Sequence, residues 1–196
     1  RLKRLKALII ENKTAFAATT KREFNDARSY EFSLFSEFAS KVEGIDYAMK
    51  HLKAWMKPEK RRANTPMNFL GGKSQVRHYP KGVVGIISPW NLPFGLTVAP
   101  LTSALAAGNR ALLKPSEFVP ETAALFAEVV PRYFAEEEVA VVTGGADISQ
   151  QFAELPFDHL LFTGSTRIGA KVMQSASKNL VPVTLELGGK SPVVIG

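Results

Sequence analysis

The spacing of hydrophobic and polar positions changes along the chain, and the change divides it into two parts. Up to about residue 55, apolar residues recur every three or four positions, which predicts an amphipathic helix over residues 1–24 and a longer helical region over residues 30–55. From residue 82 onward, short β-branched runs alternate with helical stretches, a pattern typical of βαβ units and a parallel sheet. The front is therefore expected to be helical and the rest α/β.

Five strands and the helices between them are expected in the second part. The strands are predicted at 82–88, 110–114, 139–142, 159–162 and 181–185, and the helices at 96–107, 121–130, 147–154 and 165–177. Gly108 stands where the first of these helices would end in a left-handed residue, and Pro131 stops the second. The predicted fold class is α/β, an open parallel Rossmann-like sheet flanked by helices.

The same pattern predicts three regions. Residues 1–62 form the N-terminal helical region, and the polar, proline-containing stretch 57–67 is interpreted as a linker. Residues 63–80 supply a bridging hairpin or oligomerisation strands around the turn at Gly71 and Gly72. Residues 81–196 form the sheet domain.

Composition limits the partners and the compartment. No apolar run approaches the ~20 residues of a membrane-spanning helix, and the absence of cysteine excludes disulfides and thiolate metal sites and suits a cytoplasmic protein. The net charge of +7 lies in residues 1–62, which carry 15 basic and 8 acidic residues, whereas the remainder carries 10 of each. We interpret the excess as a solvated helical face, so no nucleic-acid partner, membrane or metal ion is expected.

An asparagine follows the first predicted strand of the sheet. The apolar run over residues 83–87 ends before Pro89, so Asn91 lies beyond the carboxyl end of the strand. Ligands of open α/β sheets bind at that edge, where the Asn91 amide could donate to a substrate oxygen. The alternative is an asparagine that bonds only to its own turn.

The second predicted strand ends in Lys114, Pro115, Ser116 and Glu117. A lysine and a carboxylate placed this close at a strand end can hold ribose hydroxyls, because the carboxylate accepts hydrogen bonds and the ammonium donates them. The alternative is an ordinary surface turn.

The fourth and fifth strands end in turns that carry polar groups. The stretch from Phe162 to Ser165 leads into a helix whose free N–H groups could face a phosphate, although this turn alone is a weak indication. Glu186 closes the fifth strand, where a buried carboxylate is unfavourable unless it is paired or needed. Glu186 is therefore either a general base or the ion-pair partner of Lys190.

These motifs together resemble the aldehyde dehydrogenase superfamily, in order and in spacing. The resemblance runs along the whole chain and is carried by Ser88-Pro89-Trp90-Asn91, Lys114-Pro115-Ser116-Glu117, Phe162-Thr163-Gly164-Ser165 and Glu186-Leu187-Gly188-Gly189-Lys190. The short front region and the stretch from Trp90 to Phe94 resemble the class 3 branch. Residues 48–52, 55–58 and 142–186 look most like bacterial coniferyl aldehyde dehydrogenases.

The resemblance implies a role for each matching residue. Asn91 would donate to the oxyanion formed at the aldehyde carbon, and Glu186 would activate the water that releases the acid. The sheet domain would bind NAD, with NADP possible, and Glu117 would favour NAD. The implied cofactor-binding residues are Ile87, Ser88, Pro89, Trp90, Lys114, Ser116, Glu117, Phe162, Thr163, Gly164, Ser165, Gly169, Leu187 and Gly188.

The chain departs from the family in one respect. The family's nucleophilic cysteine lies beyond the motif at residues 186–190, and this chain has no cysteine. The strand-like run 191–196 is an unusual place for a chain to stop. We therefore expect the front part of a longer cytoplasmic enzyme, inactive without the catalytic domain, which as a whole would be a homodimer that oxidises coniferyl or another aromatic or long-chain aldehyde.

Two other functions remain open at this point. One is a dinucleotide-binding module without catalysis, and the other is a basic nucleic-acid-binding protein. Cofactor binding without turnover would indicate the first, and salt-sensitive binding to DNA would indicate the second.

Overall fold

Helical segments precede the sheet, as the apolar periodicity predicts. The computed structural model describes residues 1–195, so Gly196, the last residue of the predicted sheet domain, lies outside the described residues. Helix α1 spans Leu2–Glu23, and helix α2 (Tyr30–Ser33) continues through a π-helical turn (Leu34–Ala39) into helix α3 (Ser40–Trp55). None of the helices within residues 1–195 combines the length and the apolar character needed to cross a membrane.

A two-stranded antiparallel ribbon follows, formed by β1 (Glu59–Arg61) and β2 (Ser74–Val76). The sequence predicts a hairpin within residues 63–80, but the first strand of the ribbon lies in the stretch 57–67 that is predicted as a linker. The segment before Gly72 forms turns instead, closed by a hydrogen bond from the Gly72 N–H to the Met67 carbonyl at 2.8 Å. Both strands are exposed on both faces, so no apolar alternation marks them in the sequence.

The second part is an open, wholly parallel sheet with helices between its strands, which confirms the predicted fold class. Its strands are β3 (Val83–Ile87), β4 (Arg110–Lys114), β5 (Val139–Val141), β6 (His159–Gly164) and β7 (Val183–Leu187), in the spatial order β5-β4-β3-β6-β7. The helices are α4 (Gly95–Ala106), α5 (Pro120–Val129) with a 3-10 turn (Val130–Arg132), α6 (Ala146–Ala153) and α7 (Thr166–Ser177). Gly108 has φ +85°, as the predicted helix end requires.

The last strand begins later than predicted. Val181 lies between α7 and the strand: its N–H donates to the Ala176 carbonyl near the end of α7 and its side chain is buried, so β7 runs from Val183 to Leu187 instead of over 181–185. Glu186 therefore lies within the strand. The expectation of a strand-like run after residue 190 is wrong for the described part, since residues 191–195 have no regular structure.

The core lies on both faces of the sheet. Val84 and Ile86 pack with the N-terminal helices, whereas Ile87, one position on, packs with α7, as the alternation of side chains along a strand requires. The Phe94 ring is fully buried at the start of α4, with centroids 4.5 Å from Phe38 and 4.7 Å from Phe16. This aromatic cluster anchors the chain immediately after the turn that carries Asn91.

Candidate functional site

A large cavity opens at the carboxyl edge of the sheet, and most of the predicted site residues line it. Its volume is about 1440 Å³, and its walls come from the ends of β3, β4, β6 and β7 and from helices α4, α6 and α7. The predicted residues on its walls are Ile87, Ser88, Pro89, Trp90, Asn91, Ser116, Glu117, Phe162, Thr163, Gly164, Ser165, Glu186, Leu187 and Gly188. Lys114 and Gly169 are not among the lining residues.

The end of β3 gives the cavity an amide and an unpaired hydroxyl. Asn91 is exposed on the wall, and its side chain makes no hydrogen bond to the residues that the structure describes. The alternative that Asn91 bonds only to its own turn is therefore not what the structure shows. Ser88 is buried, and its Oγ has no partner within residues 1–195. A buried polar atom without a partner is unfavourable, so Ser88 is suited to meet a ligand.

Glu117 lines the cavity, while Lys114 lies behind it. Nζ of Lys114 donates to the Pro115 carbonyl at 2.9 Å and lies 3.8 Å from Oε2 of Glu117. Burial lowers the pKa of Lys114, and the charge of Glu117 opposes that shift. The sequence motif suggests that both side chains reach a ribose, but in this structure only the carboxylate faces the cavity and the ammonium lies beside it.

The turn between β6 and α7 is shaped by close packing. Ser165 is the N-cap of α7, and its Oγ accepts the Ile168 N–H at 3.4 Å. A Cβ at Gly164 would come 2.5 Å from Cζ of Phe162, so only glycine fits beneath this ring. A Cβ at Gly169 would lie 2.7 Å from Cδ2 of Leu187. The missing side chain at Gly169 therefore lets α7 approach β7 closely, although Gly169 itself does not line the cavity.

Glu186 faces the cavity but is not buried. It is exposed because β7 is the edge strand of the sheet in the described residues, which corrects the expectation of a buried carboxylate. The ion pairs of residues 1–195 do not include one between Glu186 and Lys190. The carboxylate is therefore available to accept a proton within the cavity.

Sequence reasoning missed two sets of charged side chains, one in the cavity wall and one that caps helices elsewhere in the fold. Arg167 and Lys171 lie one turn apart on α7 and both line the cavity, a placement that their spacing of four residues after a glycine turn could have suggested. Glu23 and Glu37 cap the first turns of α5 and α4 from the N-terminal helices. These contacts join residues far apart in the chain, and no local pattern indicates them.

Comparisons with known proteins identify relatives over the whole chain. The sequence model of the aldehyde dehydrogenase family matches residues 1–196. A probable coniferyl aldehyde dehydrogenase of Pseudomonas aeruginosa is 47% identical over 194 residues, which is 99% of this chain and 40% of that protein. Aldehyde dehydrogenase family 3 member B1 of Homo sapiens is 44% identical over 160 residues, 82% of this chain and 34% of that protein. The resemblance to class 3 and to coniferyl aldehyde dehydrogenases is confirmed.

A solved structure supports the same assignment. The crystal structure of Mycobacterium tuberculosis aldehyde dehydrogenase complexed with NAD+ superimposes with a TM-score of 0.82 at 31% identity, covering 97% of this chain and 38% of that one. The chain thus spans about 40% or less of the length of the curated relatives given above. Because the family match is unbroken and the relatives share the fold as well as the sequence, this chain belongs to the aldehyde dehydrogenase family.

Proposed function

We propose that this chain is the cofactor-binding part of an NAD-dependent enzyme that oxidises an aldehyde to a carboxylic acid. The observation that carries the proposal is the convergence of four groups on one cavity: the Asn91 amide, the Glu186 carboxylate, the Glu117 carboxylate and the glycine turn before α7. The relative from Pseudomonas aeruginosa supports coniferyl aldehyde, or another aromatic aldehyde, as the substrate class.

The cavity suits a dinucleotide. The positive end of α7 and the Ser165 hydroxyl would hold the pyrophosphate, and Ser88 supplies a buried oxygen that has no partner among residues 1–195. Glu117 can accept hydrogen bonds from a ribose diol, whereas the charge of a 2′-phosphate would be repelled, so NAD is favoured over NADP. When bound, the nicotinamide supplies the acceptor for a hydride from the substrate carbon.

The chain's own residues then stabilise charge and move a proton. The Asn91 side-chain N–H donates to the oxygen that becomes negative when a nucleophile adds to the aldehyde carbon. Glu186 accepts a proton from the water that releases the acid, and its exposure on the cavity wall leaves room for that water. The nucleophile itself is not among these 196 residues, which contain no cysteine.

We further infer that the complete enzyme is a cytoplasmic homodimer in which each of the three predicted regions has its own role. Residues 1–62 brace the cofactor-binding region from residue 81 onward. The ribbon within residues 59–76 is exposed on both faces, and its outer edges pair with no other strand among residues 1–195, which suits a bridge to a second copy.

Substitution of Asn91 tests the proposal in the full-length enzyme. Asn91→Ala removes one oxyanion donor, which is expected to lower kcat about a hundredfold or more, on the order of 3 kcal/mol, while NAD affinity stays nearly unchanged. Asn64→Ala, at an exposed position outside the cavity, is the matched control and should leave both quantities unchanged. A proportional fall in NAD affinity with intact hydride transfer would show that Asn91 is only a turn residue.

A further inference from the structure

A carboxylate on the N-terminal helical region caps the start of helix α4. Oε2 of Glu37 accepts the backbone N–H groups of Phe94 and Gly95, each at 2.9 Å. The first turn of a helix leaves such N–H groups without internal partners, so the carboxylate satisfies them and complements the positive end of the helix dipole. Asn91 lies just before this cap, and the anchored backbone fixes one end of its turn.

The other end of the same turn is held through an aromatic stack. The ring of Trp90 stacks on Phe24, with centroids 6.2 Å apart and an interplanar angle of 26°. The Arg28 guanidinium lies 3.7 Å from the centroid of the Phe24 ring, and its Nη1 lies 3.8 Å from Oε1 of Glu37. These contacts form a path from Trp90 to the Glu37 cap, and Asn91 lies between its two ends.

The ion pair between Glu37 and Arg28 is buried and incompletely hydrogen-bonded. The Glu37 side chain is 1% exposed and that of Arg28 is 18% exposed. Oε1 of Glu37 and Nη1 of Arg28 have no hydrogen-bond partner among residues 1–195, and desolvation raises the pKa of Glu37 and lowers that of Arg28. A buried ion pair contributes little net stability compared with well-packed apolar side chains, whereas its fixed geometry can hold the turn in one position.

We propose that Glu37 and Arg28 are positioning residues for Asn91, which hold its turn against the cavity so that the amide meets the oxyanion. This role rests on the proposed function of Asn91. Glu37 and Arg28 do not line the cavity, so each acts through the backbone and the rings of the turn and not on the substrate. A displacement of about 1 Å at a reacting centre can cost roughly a hundredfold in rate, which makes such support consequential.

The test is a double-mutant cycle in the full-length enzyme, with hydride transfer measured in a single turnover and NAD affinity by titration. Glu37→Ala is expected to slow hydride transfer about tenfold to a hundredfold and to leave NAD affinity within about twofold. In the Asn91→Ala background the same change should have almost no further effect, because the group that it positions is already missing. An equal loss of rate in both backgrounds would overturn the proposal.

Glu23→Ala is the matched control for loss of a cap. Oε1 of Glu23 accepts the N–H groups of Glu121 and Thr122 at the start of α5, at 2.6 and 3.1 Å, so the variant loses the same kind of cap on a helix that does not carry Asn91. It should lower thermal stability as Glu37→Ala does but leave hydride transfer unchanged. Slowing as large as that of Glu37→Ala would show a general effect of lost caps and would contradict a positioning role.

A conservative variant keeps the test decisive if Glu37→Ala folds poorly. Glu37→Gln retains an oxygen that can accept from both N–H groups. We therefore expect it to restore most of the hydride-transfer rate that Glu37→Ala loses. Where Glu37→Ala cannot be purified, the rate of Glu37→Gln should stay within about threefold of that of the parent enzyme. A loss of more than tenfold in this isosteric variant would show that the cap does not act through its hydrogen bonds, and the proposal would fall.

Trp90 provides a readout that does not depend on turnover. These 196 residues hold two tryptophans, so when Trp55 and every tryptophan outside residues 1–196 are replaced by phenylalanine, the emission reports Trp90 alone. Arg28→Ala removes the guanidinium that packs on the Phe24 ring, so the Trp90 emission should shift and its quenching by acrylamide should increase. Unchanged emission would show that these contacts do not hold the turn. If the Trp90 emission shifts in Arg28→Ala but Asn91→Ala leaves hydride transfer intact, the proposed function of Asn91 fails and the anchoring of the turn stands.

Discussion

Gly85 lies in the middle of β3, the central strand that leads to the Asn91 turn, and a methyl group has no room there. A Cβ at this position would lie 2.6 Å from Cε2 of Phe157 and 2.8 Å from Cδ1 of Leu160. Both of these side chains are buried, and the Phe157 ring packs on Phe152 with centroids 5.0 Å apart. Because neither neighbour can turn into solvent, we expect Gly85→Ala to destabilise the fold.

The magnitude follows from two opposing effects. Overpacking of a buried site costs about 1–3 kcal/mol, and the restriction of the unfolded chain by alanine offsets roughly 0.5–1 kcal/mol of that. Because the two contacts at 2.6 and 2.8 Å place the cost in the upper half of its range, the net expectation is a loss of about 1–2.5 kcal/mol in the free energy of unfolding, or a fall of roughly 2–10 °C in Tm for a chain of this length.

Urea and thermal unfolding followed by circular dichroism measure this change. Gly44→Ala is the matched control, since Gly44 is exposed in α3 and its Cβ would meet no heavy atom within 4 Å. That variant should gain about 0.5–1 kcal/mol, because glycine is unfavourable within a helix. If Gly85→Ala is as stable as its parent, the packing of Phe157 against β3 is not as described.

Three further predictions concern the cofactor, the pH dependence and the core. Glu117→Gln should lower the ratio of kcat/KM for NAD over NADP in the full-length enzyme, and an unchanged ratio would remove Glu117 from the ribose site. Hydrogen bonding to Arg4 first, and then to Arg1, lowers the pKa of Glu138 from 4.5 to about 2, so its stabilising effect is present above about pH 4.5 and is lost as the pH falls toward 2. Glu138→Gln should therefore be less stable than the parent in urea unfolding at pH 7, and the difference should shrink toward zero as the pH falls through about 2, whereas a difference independent of pH would contradict this. Phe94→Ala should cost about 3–5 kcal/mol in thermal unfolding because the ring is fully buried, and a loss below about 1 kcal/mol would refute the packing.

The sequence predicted the elements whose side chains are buried in a regular pattern. Strand β3 is recognisable because Val84, Ile86 and Ile87 form an apolar run that Pro89 interrupts, and α5 is recognisable because it begins at Pro120. The site could be predicted for a similar reason, since ligands of a parallel sheet meet the carboxyl ends of its strands, and the motif residues lie directly after them.

The remaining features depend on contacts that no local pattern records. The β1–β2 ribbon carries no apolar alternation because both strands are exposed. Lys114 lies behind the cavity wall because Nζ bonds to the Pro115 carbonyl beside it, a side-chain choice that the motif leaves open. The cap that Glu37 places on α4 spans more than fifty positions in the chain and appears only when the helices pack.

The central claim, that the cavity holds a dinucleotide at the start of α7, is tested most directly by calorimetric titration of NAD into the Ser165→Asp variant. Aspartate is as good an N-cap as serine, so the helix is kept while a negative charge is placed where the pyrophosphate is expected. Ser29→Asp makes the same change at the cap of α2, away from the cavity, and serves as the control. The proposal predicts that Ser165→Asp weakens NAD binding by at least about tenfold while Ser29→Asp does not. A folded Ser165→Asp variant that binds NAD as tightly as its parent would contradict it.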